Sequence, residues 1–176
     1  MDSKAIRLVL FDVDGVLTDE TLYIGPDGEV FKAFNAKDGV AISLLKKHGI
    51  KVGIISGKAS KALEFRIKQL GIDHVITGCS DKLSALNTLI TKTKCKLDQI
   101  AFVGDDIIDI AVMKKVALSI APADAHLLAI DAARYVCLAK GGEGAARGSA
   151  EYILMNTGLS LEDMYADMVG KYDIKQ

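Results

Sequence analysis

Apolar positions along this chain follow two rhythms. Short runs rich in Ile, Leu and Val fall at 6–11, 51–55, 74–77, 100–104, 116–120 and 134–138. Between them apolar residues recur at three- and four-residue spacing, as in Leu63, Ile67, Leu70 and in Leu83, Leu86, Ile90. Continuous short runs that end in glycine or polar residues predict strands covered on both faces, and the wider spacing predicts helices. The pattern therefore predicts strands at those six places and helices over 38–48, 59–70, 81–93, 106–114 and 124–130. Two more helices are predicted after 141, the last opened by Ser160-Leu161-Glu162-Asp163, which has the form of a capping box. Behind it Leu161, Met164, Tyr165 and Met168 form an apolar stripe suited to the core or to a subunit contact. Residues 21–34 break the rhythm. There Gly25-Pro26-Asp27-Gly28, flanked by Tyr23 and Val30-Phe31, predicts a β-hairpin. Strand–helix alternation of this kind implies an α/β fold with a doubly wound, mainly parallel sheet.

Polar residues matter most where these strands end. Asp12 and Asp14, in Phe11-Asp12-Val13-Asp14-Gly15-Val16-Leu17-Thr18, lie where the first strand runs into a turn, and a strand end faces the ligand crevice of an open α/β sheet. An ordinary turn rich in Asp and Gly is the plainer reading. The pattern returns in Val103-Gly104-Asp105-Asp106-Ile107-Ile108-Asp109. A helix start accounts for one of these carboxylates as an N-cap and another as a dipole partner, but poorly for all three. If the two strands are neighbours, both clusters share one oxygen-rich pocket, whose hard donors suit Mg²⁺. Ser56, before Gly57-Lys58, either caps the next helix or gives its hydroxyl to a phosphate oxygen. The glycine spacing there is not that of a P-loop, because Val52 stands where the first glycine is required. Lys82 opens another helix and by itself reads as a surface lysine.

Composition narrows the class. At 176 residues and 50% apolar content, the chain fits one domain, 1–176, with one substantial core. A net charge of −1 gives no electrostatic reason for nucleic acid to be a partner. No apolar run is long enough to cross a membrane, and the first apolar stretch is broken by Asp12 and Asp14, unlike a signal peptide. Cys79, Cys95 and Cys137 lack metal-ligand spacing, so reduced thiols and a cytoplasmic location are expected. His48, His74 and His126 are scattered and receive no catalytic role.

In order, the Asp-x-Asp-Gly-x-x-Thr segment, Ser56, Lys82 and Gly-Asp-Asp-x-x-Asp resemble the four motifs of the haloacid-dehalogenase superfamily of phosphohydrolases. The hairpin from Tyr23 to Phe34, Asn35-Ala36-Lys37-Asp38-Gly39, Ala121-Pro122-Ala123-Asp124-Ala125 and Gly141-Gly142-Glu143-Gly144-Ala145-Ala146-Arg147 extend the likeness. They resemble the 3-deoxy-D-manno-octulosonate 8-phosphate phosphatases over nearly the whole chain. That resemblance implies a Mg²⁺-dependent phosphomonoesterase of lipopolysaccharide precursor synthesis, acting on a small phosphorylated sugar acid. It implies Asp12 as the nucleophile that becomes an aspartyl-phosphate and Asp14 as the proton donor and acceptor. Asp12, the Asp14 carbonyl and Asp105 would hold the cation, with Asp106 or Asp109 steadying the shell. Ser56 and Lys82 would bind the phosphoryl oxygens. Asp14, Asn35, Ala36, Lys37, Asp38, Gly39, Ser43, Lys58, Arg66, Lys82 and Arg147 would contact substrate. It further implies a homotetramer in which neighbouring subunits complete each site, the short hairpin standing in place of a cap domain and the glycine-rich tail from about 141 acting as a mobile lid. Two positions depart from the family pattern. Lys58 stands where Arg is usual, and Arg147 lies between Ala146 and Gly148 rather than Val and Glu. A nine-carbon sugar acid 9-phosphate is the nearest alternative substrate. A non-catalytic assembly module is less suited to an intact Asp12 and Asp14. A phosphorylatable receiver domain has the wrong order, its third strand here ending in Val75-Ile76-Thr77-Gly78 without an aspartate.

Overall fold

The computed structural model describes residues 5–169. Its strands are β1 (Leu8–Phe11), the hairpin pair β2 (Tyr23–Gly25) and β3 (Gly28–Phe31), β4 (Lys51–Ile55), β5 (His74–Ile76), β6 (Ile100–Val103), β7 (Leu118–Ala121) and β8 (Tyr135–Val136). Its helices are α1 (Ala36–Lys47), α2 (Lys61–Leu70), α3 (Lys82–Thr93), α4 (Ile110–Met113), α5 (Leu127–Ala132), α6 (Ala145–Met155) and α7 (Leu161–Val169). Six strands form one sheet in the order β5-β4-β1-β6-β7-β8, every neighbouring pair parallel.

The unbroken apolar run of β1 follows from its place at the centre of this sheet. Successive strand side chains point to opposite faces. Val9 and Phe11 pack with Ala41, Ile42 and Leu45 of α1 and Ala146, Ala150 and Ile153 of α6. Leu8 and Leu10 pack on the other side with Leu86 and Leu89 of α3 and Val112 and Met113 of α4. Each such large apolar side chain, fully buried, contributes roughly 1.5–3 kcal/mol.

Helix ends show where local chemistry shifted the predicted boundaries. The first helix starts at Ala36 rather than 38, because the Asn35 side chain accepts the Lys37 N–H and caps it. Ser60, not Ser56, caps α2 by accepting the N–H of Leu63. The helix predicted over 106–114 is instead a 3₁₀ turn, Ile107–Asp109, running into the single turn of α4. Asp106 accepts the Ile107 N–H, and the Asp109 carboxylate folds back onto the N–H groups of Asp105 and Asp106, winding the chain into a tighter turn with fewer residues than an α-helical one. The strand predicted over 116–120 begins two residues later, and the helix predicted over 124–130 runs instead from Leu127 to Ala132. At Ser160 the capping box forms as predicted, with the Asp163 N–H donating to the serine hydroxyl and the Asp163 carboxylate accepting from Ser160.

Topology sets the position of the site. From β1 the chain builds outward through β4 to β5, then returns across the sheet to β6 on the far side of β1. The order reverses between β1 and β6, the place where open α/β sheets bind ligands at their carboxyl ends.

Candidate active site

Asp12 follows β1 directly, and its N–H still donates to the Val103 carbonyl at 2.9 Å. That bond holds the aspartate backbone in the ladder and sends the carboxylate out above the sheet. Across the reversal point Gly104 follows β6 and delivers Asp105. The turn after Asp14 closes against it: Gly15 has φ +84°, and a Cβ there would collide with the Asp105 carboxylate. Ligand oxygens of Asp12, Asp105 and Asp109, all three residues buried, lie within 4.8 Å of one another. Lys82 enters from the first residue of α3, its Nζ 2.9 Å from Asp12 Oδ1 and 2.6 Å from Asp109 Oδ1. A pocket of about 300 Å³ opens above them, lined by Asp12, Asp14, Glu20, Ser56, Gly57, Lys58, Lys82, Asp105, Asp106 and Ile108.

Three crowded carboxylates facing one ammonium leave negative charge uncompensated. Burial, and then the charge of Asp109, raise the Asp12 pKa to about 6 against the opposing pull of Lys82. Burial together with Asp12 and Asp109 raises that of Asp105 to about 8. Burial works against the Lys82 ammonium, but Asp12 and Asp109 outweigh it and raise its pKa. Both Asp109 oxygens are engaged, one by Lys82 and the other by two backbone N–H groups. Asp105 Oδ1 is buried with no hydrogen-bond partner among the described residues. An orphaned buried oxygen beside a second carboxylate is a donor set that fits a hard divalent cation such as Mg²⁺.

A family model described as haloacid dehalogenase-like hydrolase matches residues 75–147. The 3-deoxy-D-manno-octulosonate 8-phosphate phosphatase KdsC of Yersinia pestis is 47% identical over 150 residues, 85% of this chain and 80% of that protein. This chain belongs to that phosphatase family. Among solved structures, the phosphatase from Moraxella catarrhalis in complex with magnesium, phosphate and KDO superposes with a TM-score of 0.87 at 32% identity, covering 96% of this chain and 95% of that one. The cobalt-bound Haemophilus influenzae phosphatase gives a TM-score of 0.87 at 35% identity, covering 90% and 92%.

Against the contacts implied by resemblance to this phosphatase family, the structure gathers one group and disperses another. Asp12, Asp14, Ser56, Lys58, Lys82 and Asp105 share the pocket. Asn35, Ala36, Lys37, Asp38, Gly39, Ser43, Arg66 and Arg147 do not line it. Asn35 caps α1 and donates its amide to the Gly142 carbonyl. Asp38 is buried, and its Oδ1 accepts the N–H groups of Ala146 and Arg147. Gly39 lies against the Arg66 guanidinium, which donates to the Asn35 carbonyl. Ser43 is exposed on α1. Arg147 pairs with Glu151 and Tyr165 and lines a separate pocket of about 540 Å³ with Lys37, Tyr135 and Tyr152. The glycine-rich stretch expected as a lid is a turn packed on the Asp14 loop: a Cβ on Gly141 would strike the Gly15 carbonyl, and the Gly142 N–H donates to Val16. Sequence reasoning missed Glu20 in the pocket wall, and missed Lys32, which sits 2.5 Å from Asp14. Neither carries a signal in the sequence, since a lone acid in a loop and a lysine beyond a hairpin both read as solvated surface.

Proposed function

We propose that this protein is a Mg²⁺-dependent phosphatase that hydrolyses 3-deoxy-D-manno-octulosonate 8-phosphate in lipopolysaccharide precursor synthesis. The observation that carries the reading is the convergence of Asp12, Asp105, Asp109 and Lys82 in one buried cluster where the sheet order reverses. Identity of 47% to a phosphatase of that name supports the choice of substrate.

In this reading Asp12 attacks phosphorus, forming an aspartyl-phosphate while the P–O bond to the sugar breaks. Asp14 gives its proton to the departing sugar oxygen, then takes one from the water that attacks the aspartyl-phosphate and releases inorganic phosphate. Lys82 holds Asp12 in line and neutralises a phosphoryl oxygen. The Ser56 hydroxyl, whose oxygen already accepts the Lys58 N–H at 3.2 Å, donates its hydrogen to another. Lys58 faces the pocket as a cation for the sugar acid's carboxylate. Asp12, the Asp14 carbonyl and Asp105 would hold Mg²⁺, which when bound supplies positive charge to the phosphoryl oxygens.

Sugar-acid contacts beyond Lys58 come from neighbouring subunits in a homotetramer built around the hairpins. Support comes from the apolar side chains the hairpin leaves in solvent, Ile24, Val30 and Phe31. Among the described residues no helix is long and apolar enough to cross a membrane. Three free cysteines, two of them buried, support a cytoplasmic location.

A phosphate-release screen over eight- and nine-carbon sugar-acid phosphates tests the substrate. The eight-carbon 8-phosphate is expected to give the highest kcat/KM, and a preference for a nine-carbon 9-phosphate would replace it. Asp12→Asn is expected to abolish turnover with the fold intact by circular dichroism. Substantial residual activity would remove the nucleophile assignment.

A further inference from the structure

Lys32 lies just past β3, at the foot of the hairpin, yet its side chain is only 2% exposed. Its Nζ sits 2.5 Å from Asp14 Oδ1 and 3.0 Å from Glu29 Oε2. A long cationic side chain ordinarily keeps its head in water, and burying one is unfavourable unless carboxylates meet it. Here they do. Burial works against the ammonium, but hydrogen bonds and charges from Asp14 and Glu29 raise its pKa and keep it charged at neutral pH. What it touches is a pocket carboxylate outside the cation cluster: Asp14 lines the pocket, while Asp12, Asp105 and Asp109 form the buried triplet.

We propose that Lys32, braced by Glu29, is the positioning residue for Asp14. The ammonium occupies Oδ1 and fixes the side-chain torsion, which leaves Oδ2 to meet the sugar oxygen of the breaking P–O bond. Lys32 makes no contact with the reacting atoms and acts through Asp14 alone. Because it is rooted beside β3, any displacement of the hairpin is felt at the proton-transfer group, a link between subunit arrangement and chemistry that runs within one chain. The inference rests on Asp14 being the proton donor of the proposed reaction.

The test exploits leaving groups. A sugar alkoxide needs a proton to depart, whereas p-nitrophenolate leaves without one. kcat/KM reports steps only through the first P–O cleavage, so it isolates proton donation from later hydrolysis. Lys32→Met is expected to lower kcat/KM by about 10- to 100-fold for the sugar-acid phosphate, the scale on which misplacing a reacting group acts. For p-nitrophenyl phosphate the loss is expected to be at least tenfold smaller. Lys32→Arg should recover most of the loss, and Glu29→Gln should show the same substrate bias more weakly. In an Asp14→Asn background, Lys32→Met should add less than a twofold further effect, since the two act as one unit. Equal losses on both substrates, or full multiplication of the two single effects, would overturn the proposal. If Lys32→Met does not fold, the Lys32→Arg and Glu29→Gln ratios decide in the same way. If Asp14→Asn itself shows no bias between the substrates, the proton role of Asp14 falls and the inference with it. A bias in Asp14→Asn that is absent from every Lys32 and Glu29 variant would sink the inference alone.

Discussion

Asp105 holds its proton for a reason that also predicts how the site takes up its cation. Burial and the neighbouring charges of Asp12 and Asp109 raise its pKa from 3.8 to about 8, and those of burial and Asp109 raise that of Asp12 from 3.8 to about 6. Both groups bind protons more tightly folded than unfolded. The metal-free protein is therefore most favoured at low pH with respect to these groups, and loses that contribution as pH rises from about 4 through 6 to 8. Cation binding reverses the sign, because the ligand must be a carboxylate and each bound ion expels the proton. Apparent Mg²⁺ affinity, measured by calorimetry, should rise about tenfold per pH unit between 6 and 8 and level off above. Thermal stabilisation by a fixed Mg²⁺ concentration should grow over the same interval. A dissociation constant that is flat from pH 6 to 8 would remove Asp105 from the ligand set.

At the scale of elements, one carboxylate expected at the substrate proves to join two helices. Asp38 lies in the first turn of α1, but its Oδ1 accepts the Ala146 N–H at 3.0 Å and the Arg147 N–H at 3.4 Å, satisfying the start of α6 from outside that helix. Gly144, at the N-cap of α6, has no side chain to do so. Burial raises the Asp38 pKa against the pull of the N–H groups of Arg147, Ala146 and Gly144. Asp38→Ala should cost about 1–2 kcal/mol, a fall in Tm of roughly 2–8 °C. Asp38→Asn, which keeps an accepting oxygen, should recover part of it by scanning calorimetry. Equal losses in both variants would rule the cap out. The contrast shows what the sequence made legible. Strand runs and helical spacing are local, so the sheet and most helices could be read directly, as could Asp12, Asp14, Ser56 and the Asp105 cluster at strand ends. Lys82 and Lys32 could not be read as buried, because a pocket carboxylate that each one meets, Asp109 and Asp14, lies 27 and 18 residues away and burial of a cation is decided by such partners. The 3₁₀ turn at Ile107 was hidden for a different reason: the Asp109 carboxylate folds back on the N–H groups of Asp105 and Asp106, and Ile107 and Ile108 lie 53% and 57% exposed.

Across the whole molecule, the two hydrophobic clusters account for both faces of the sheet, and the hairpin stands apart from them with its apolar side chains outward. Ile24 and Val30 are 66% and 65% exposed, and Phe65 on neighbouring α2 is 70% exposed. A two-stranded hairpin is marginal by itself and gains little by presenting branched apolar residues to water. Large apolar side chains exposed together on one small element point to an interaction site. The proposed tetramer supplies the cover, and it also accounts for a pocket whose own lining offers a single cation, Lys58, toward a sugar carboxylate. Replacing Ile24 and Val30 together with lysine places like charges on every copy of that surface, where desolvating them opposes association. Sedimentation velocity should show the assembly reduced to smaller species with far-UV circular dichroism unchanged, since neither residue belongs to a core cluster. If neighbours complete the site, kcat/KM for the sugar-acid phosphate should fall by about 10-fold or more, on the scale of lost positioning contacts. Hydrolysis of p-nitrophenyl phosphate, which needs the phosphoryl cluster but no sugar contacts, should fall far less. A dissociated variant that turns over the sugar-acid phosphate as well as the parent would show that one chain holds every group the reaction needs, and Lys58 would then have to carry recognition of the acid without help.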